Sequence, residues 1–89
     1  MPATRAANKS LSALWVLYET QGDTRAPSIV VNAYKRFDGN ILVTARRLGI
    51  KRQTIYRWMD KYPDFKIAMD RARYEIEERL RTTRGIEGT

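Results

Sequence analysis

Between Asn40 and Asp60 the chain reads NILVTARRLGIKRQTIYRWMD, and three residues in this run restrict its backbone severely. Ala45 is small, Gly49 stands four positions later, and Ile55 comes six positions after that. Two short helices that cross at roughly 90–120° through a three- or four-residue turn need this set. A small residue lets the backbones approach, a glycine takes the left-handed conformation of the turn, and an apolar residue anchors the second helix on the first. Leu48, Ile50 and Trp58 supply further apolar contacts around the crossing. The spacing predicts a helix over 41–48, a stop at Gly49 and a second helix from about Arg52 to Lys61.

Apolar spacing extends the helical pattern to both sides. Leu11, Leu14, Trp15 and Tyr18 fall three and four apart, one face of a helix from Lys9 to Thr20 with Ser10 as its N-cap. Gly22 and Asp23 interrupt the pattern. Pro27 suits the first turn of a second helix that carries Ile29, Val30, Ala33, Tyr34 and Phe37. Asp38-Gly39-Asn40 reads as a turn, with Asn40 positioned to cap the helix after it. Pro63 opens a last helix expected to run to about Thr82. The fold class is therefore all-α, a small helical domain of about five helices containing a helix-turn-helix at 41–60. Residues 1–8 read as a flexible leader, 9–83 as the helical domain and 84–89 as a flexible tail.

Charge is concentrated on the same motif. The 89 residues carry a net charge of +7, with 17 Lys and Arg against 10 Asp and Glu. Within 41–63 six basic residues (Arg46, Arg47, Lys51, Arg52, Arg57 and Lys61) face the single acidic Asp60. Residues 64–81 balance five against five. A basic stretch of this kind implies an anionic polymer as partner, and nucleic acid is the commonest.

With Ile55 and Trp58 turned inward, helix geometry turns Arg52, Gln53, Tyr56 and Arg57 outward. Arginine can pair bidentately with guanine O6 and N7, and glutamine with adenine N6 and N7. Tyr56 can touch a thymine methyl or donate to a phosphate. Lys51, Thr54 and Lys61 flank the outward face and suit the sugar-phosphate backbone, while Arg46 and Arg47 on the preceding helix suit a backbone clamp. These nine residues are the expected sites of contact with double-stranded DNA. Two of the surrounding positions are unusual: Thr44 stands where an apolar residue is common, and Lys51 where a Ser or Thr cap is common.

Other function classes find little support. There is no Cys and no His, which excludes zinc fingers, Cys–His pairs, Ser-His-Asp triads and haem ligation. No nucleophile stands beside a base and no carboxylate cluster offers metal ligands, so neither an enzyme, a cofactor nor a metal is expected. The longest apolar stretch, Leu11–Tyr18, is far short of the ~20 residues that cross a bilayer, and no Ala-x-Ala cleavage site comes after it. A Cys-free chain suits a reducing cytoplasm or nucleoid. A protein-interaction module with incidental positive charge is the alternative from another class.

The run GNILVTARRLGIKRQTIYRWM resembles the Fis-type helix-turn-helix of bacterial enhancer-binding activators, and also the N-terminal DNA-binding domain of phage small terminase subunits. The residues after Asp60 separate the two. KYPDFKIAMDRARYEIEERL, a Lys/Tyr-Pro-Asp-Phe link into a charged amphipathic helix, is similar to the small-terminase pattern. The resemblance covers roughly residues 28–81. It implies recognition of phage DNA for packaging by a homo-oligomer, with a large terminase subunit as a further partner, and a small Fis-like transcriptional regulator as the alternative. Small terminase subunits are generally longer, so it also implies a short member, a separate regulator or a fragment. The last helix supports association by its own pattern, although the same stripe can equally pack on the domain's own core, and different halves of the helix can do each. Phe65, Met69, Ala72, Ile76 and Leu80 form one apolar stripe, with Arg71–Glu75, Glu75–Arg79 and Glu77–Arg81 spaced for ion pairs around it. Ile76 and Leu80 are expected to lie uncovered at its far end.

Overall fold

Glycine and proline divide the chain into five helices: α1 (Ala3–Gln21), α2 (Arg25–Arg36), α3 (Ile41–Leu48), α4 (Arg52–Lys61) and α5 (Pro63–Glu87). The computed structural model describes the backbone of residues 3–87 and the side chains of residues 11–82. Among the described residues there is no strand. The bounds of α3 and α4 are those expected from the sequence.

Both outer helices are longer than expected. Residues 3–8, read as a leader, belong to α1, so Ser10 lies inside the helix and is not its cap. Ala3, Ala6 and Ala7 are strong helix formers, and no Gly or Pro occurs after Pro2 until Gly22. At the other end α5 continues through residues 84–87, read as a tail. A lone Gly85 costs a helix only about 1 kcal/mol relative to Ala and does not stop it. Residues 1, 2, 88 and 89 lie outside the described ones.

Each turn is closed by hydrogen bonds that can be traced to its residues. Asp23 accepts from the Arg25 amide at 3.0 Å, with the Arg25 guanidinium on the same carboxylate at 2.7 Å, while the N-cap Thr24 makes no side-chain capping bond. Asp38 takes φ 55° and Gly39 φ 80°. The Gly39 amide then reaches back to the Tyr34 carbonyl at 2.9 Å, a Schellman closure of α2. Asn40 caps α3 by accepting from the Val43 amide at 3.0 Å.

The core is one cluster to which every helix contributes. Leu11 and Trp15 of α1 meet Ala26, Val30 and Tyr34 of α2, Ala45 of α3, Ile55 of α4, and Phe65, Met69, Ala72 and Ile76 of α5. Leu48, Ile50 and Trp58 pack partly buried against it, as the motif requires. Phe65 meets the edge of Trp15 at 5.1 Å between centroids, which ties α5 to α1. Ile76, expected to be uncovered, is buried with 4% exposure because α2 and the Gly39 turn lie over it. Leu80 remains 41% exposed.

The ion pairs on α5 also differ from the expected ladder. Glu75 pairs with Lys35 of α2 at 3.0 Å, and Arg79 with Asp38 of the α2–α3 turn. Glu77 pairs with Arg73 at 3.3 Å, and Arg81 with Glu78. Spacing along one helix ranked the i,i+4 partners, whereas the packing of α2 on α5 offered Glu75 and Arg79 partners on another element.

Candidate nucleic-acid interface

The α3–α4 crossing rests on its turn. Gly49 adopts φ 72° and ψ 29°, its amide donates to the Arg46 carbonyl at 3.1 Å, and the Ile50 amide donates to Ala45 at 2.9 Å. This Schellman closure satisfies two carbonyls at the end of α3 and redirects the chain within three residues. Ala45 of α3 at 1% exposure and Ile55 of α4 at 0% are both buried in the one core cluster. Thr44 is fully buried, and its hydroxyl donates to the Asn40 carbonyl at 2.7 Å. A polar residue is accepted there because its one donor is satisfied inside the helix.

Helix α4 starts without a side-chain cap. Lys51 holds the N-cap position in extended conformation, φ −87° and ψ 148°, and makes no capping hydrogen bond from its side chain. The Thr54 amide bonds the Lys51 carbonyl at 2.9 Å. The first-turn amides of Arg52 and Gln53 have no carbonyl behind them in the helix, and the positive end of the helix dipole lies there.

The outward face is open. Lys51, Arg52, Gln53, Tyr56 and Arg57 are exposed and Thr54 is half-buried. Tyr56 stands at one edge of this face, bordering a groove of about 290 Å³ toward Tyr34, Ile41, Met69 and Arg73. Arg46 and Arg47 are both exposed. Arg47 turns toward α2, its guanidinium 5.8 Å from the centre of the Phe37 ring. Lys61 is committed elsewhere, paired with Glu19 of α1 at 3.0 Å and placed over Tyr62 at 5.6 Å.

Ion pairing distinguishes this surface from the rest of the molecule. Among the described side chains Arg25, Lys35, Lys61, Lys66, Arg73, Arg79 and Arg81 each meet a carboxylate. Arg46, Arg47, Lys51, Arg52 and Arg57 have no such partner among the described residues. Arg36 and Arg71 share that condition. Sequence spacing offered no sign that Arg36, beside Phe37 on α2, would share an aromatic ring with Arg47 eleven residues away. Among the described residues no group of His, Cys, Asp or Glu is placed to hold a metal ion, and no helix is long and apolar enough to cross a membrane.

Residues 29–66, from α2 through the first turn of α5, match a family model described as a helix-turn-helix domain. The chain carries a helix-turn-helix domain. Its second helix is α3 and its exposed third helix is α4, the arrangement in which such domains present one helix to DNA. No curated protein and no solved structure matches the chain.

Proposed function

We propose that this helix-turn-helix protein binds duplex DNA by laying α4 in the major groove, with Arg52, Gln53, Tyr56 and Arg57 toward the base edges. Lys51, Thr54, Arg46 and Arg47 contact the backbone, and Lys61 joins them when it leaves Glu19. The observation that carries this reading is the run of five cations from Arg46 to Arg57 that meet no carboxylate among the described residues, where most of the other described cations are paired. A surface evolved only for solubility has no reason to segregate them; a polyanion supplies the missing partner.

Within that reading, recognition of phage DNA for packaging is the leading role. The Tyr62-Pro63-Asp64-Phe65 link and the long α5 support it, since they resemble the small-terminase pattern after the reading helix. Self-association through the far end of α5, and a large terminase subunit as partner, belong to the same proposal. A Fis-like regulatory role is the alternative, and it shares the reader.

Binding to labelled duplex, followed by anisotropy from about 50 to 200 mM salt, tests the DNA reading. A steep linear fall of log K with log salt is expected, and a flat response removes the reading. Selection of preferred duplexes from a random pool then separates the two roles. Sites beside a packaging ATPase gene support packaging, and sites overlapping promoters support regulation.

A further inference from the structure

Between α2 and α3 lies a groove of about 480 Å³ lined by Ile29, Asn32, Ala33, Phe37 and Leu48, with Arg36 and Arg47 at its rim. None of its lining residues comes from α4 or α5, so it adjoins the proposed reading face only through Arg47. The two guanidinium carbons lie 5.9 and 5.8 Å from the centre of the one Phe37 ring. Among the described residues no carboxylate lines the groove.

The neighbouring groups are arranged so that none arrives there. Asp38, next to Phe37 in the chain, is drawn to α5 by Arg79. Lys35, next to Arg36, turns to Glu75 on α5, while Arg36 turns to the α3 side. Two like charges on one ring repel each other. In the free protein the ring's face and the carbonyl ends of α2 and α3 offset that repulsion. Both arginines sit in the last turn of their helices. The pair thus meets no carboxylate among the described residues, and its Arg47 stands four residues before Lys51, the N-cap of α4.

We propose that the DNA contact surface continues off α3 and α4 onto α2, where Arg36 and Arg47 take backbone phosphates with Phe37 as their shared platform. This rests on the duplex-DNA reading and adds Arg36, a residue outside the α3–turn–α4 unit, to the interface. Arginine suits the role because its planar guanidinium can lie on a ring and still present N–H groups to a phosphate. Such contacts position the protein on the duplex and read no sequence.

The test is a salt titration of the full chain on a random-sequence duplex and on a selected one. Arg36→Ala lowers the magnitude of the log K against log salt slope by about one on both duplexes, with the melting temperature unchanged. Arg36→Lys keeps the slope, because a point charge suffices to displace a counterion. Arg71→Ala, which removes an unpaired cation from α5, leaves the slope as it was. An unchanged slope for Arg36→Ala beside a steep wild-type slope overturns this inference and leaves the DNA reading standing. Equal losses for Arg36→Ala and Arg71→Ala also overturn it, since net charge alone then explains both. A flat wild-type slope removes the DNA reading, and this inference with it.

Discussion

Trp15 of α1 lies stacked on Tyr62, 4.7 Å between ring centres and 10° between planes, at the residue that ends α4. The same indole meets Trp58 at 4.7 Å, Tyr18 at 5.5 Å and Phe65 at 5.1 Å. Helix α1 lies outside the matched helix-turn-helix segment, yet through this one side chain it holds the end of α4, the helix proposed to read DNA. Trp15→Ala should therefore cost about 3–5 kcal/mol of stability, the usual range for emptying a buried aromatic site. Urea unfolding of the purified variant checks it, and a loss under about 1 kcal/mol would show that the aromatic cluster repacks without Trp15.

The second tie between these elements is ionic and sets a pH dependence. Hydrogen bonds from Lys61 and Tyr62 hold the Glu19 carboxyl below its ordinary range. Hydrogen bonds from the Arg25 side chain and amide do the same for Asp23. A carboxyl with a depressed folded pKa contributes stability that is present above its unfolded pKa and lost as pH falls through the folded one. Melting temperature should fall as pH drops from about 5 to 3. Glu19→Gln should flatten part of that fall, and an identical pH profile for the variant would refute the assignment.

Tyr62 gives the opposite limb. Burial first, then donation to Glu19, raises its phenol above the ordinary value. Its contribution is complete below the unfolded pKa and is lost as pH rises through the raised one, near the alkaline end of the scale. Tyr62→Phe should keep the ring stack on Trp15 and remove this alkaline loss. Absorbance titration of the phenols, wild type against variant, reads it directly.

How much of this was legible in advance depends on the range of the interaction. Gly49, Asn40 and Gly39 act on their own neighbours, and their turns and caps arise from the residues themselves. Ala45 and Ile55 are buried on either side of a short turn, so the crossing was equally readable. Partners on distant elements were not. Glu19 with Lys61, Glu75 with Lys35 and Arg79 with Asp38 depend on how α1, α2 and α5 pack, which periodicity along one helix does not encode. Asp38 is a related case: its positive φ comes from the Schellman closure of α2, a role usually left to glycine. The nine candidate contact residues were legible as a basic segment, whereas the separation of Arg47 toward Phe37 and of Lys61 toward Glu19 was not.

At the turn itself, Gly49→Val places a β-branched side chain at φ 72°. The cost should be at least about 1–3 kcal/mol, whereas Gly49→Asn, which tolerates the left-handed region, should cost less. Thermal melts of the two variants order them, and equal melting temperatures would mean that the turn relaxes to another conformation.

Arg57 and Arg46 should separate reading from clamping. Both are exposed and unpaired among the described residues, but Arg57 belongs to the outward face of α4 and Arg46 to α3. Arg57→Ala should lose about 1–3 kcal/mol on a preferred duplex and relax base preference. Arg46→Ala should weaken preferred and random duplexes alike. Equal losses on both duplexes for Arg57→Ala would remove it from the base-reading set.

The far end of α5 decides whether the protein associates. Ile76 and Leu80 are one turn apart on the same stripe, yet they differ in kind: Ile76 is covered by α2 and the Gly39 turn, and Leu80 is not. A charge at Ile76 enters the core, so Ile76→Glu should cost more than about 3 kcal/mol, a large share of the roughly 5–15 kcal/mol that a small domain possesses. That variant reports on folding and says nothing about partners. Leu80→Glu changes an exposed position and should leave circular dichroism and melting close to wild type. If copies of the chain pair through this end of α5, Leu80→Glu lowers the mass measured by light scattering. It then weakens DNA binding without altering base preference, because linked readers gain affinity from one another and not from new base contacts. A wild-type mass for Leu80→Glu would show that association does not use this end of the helix.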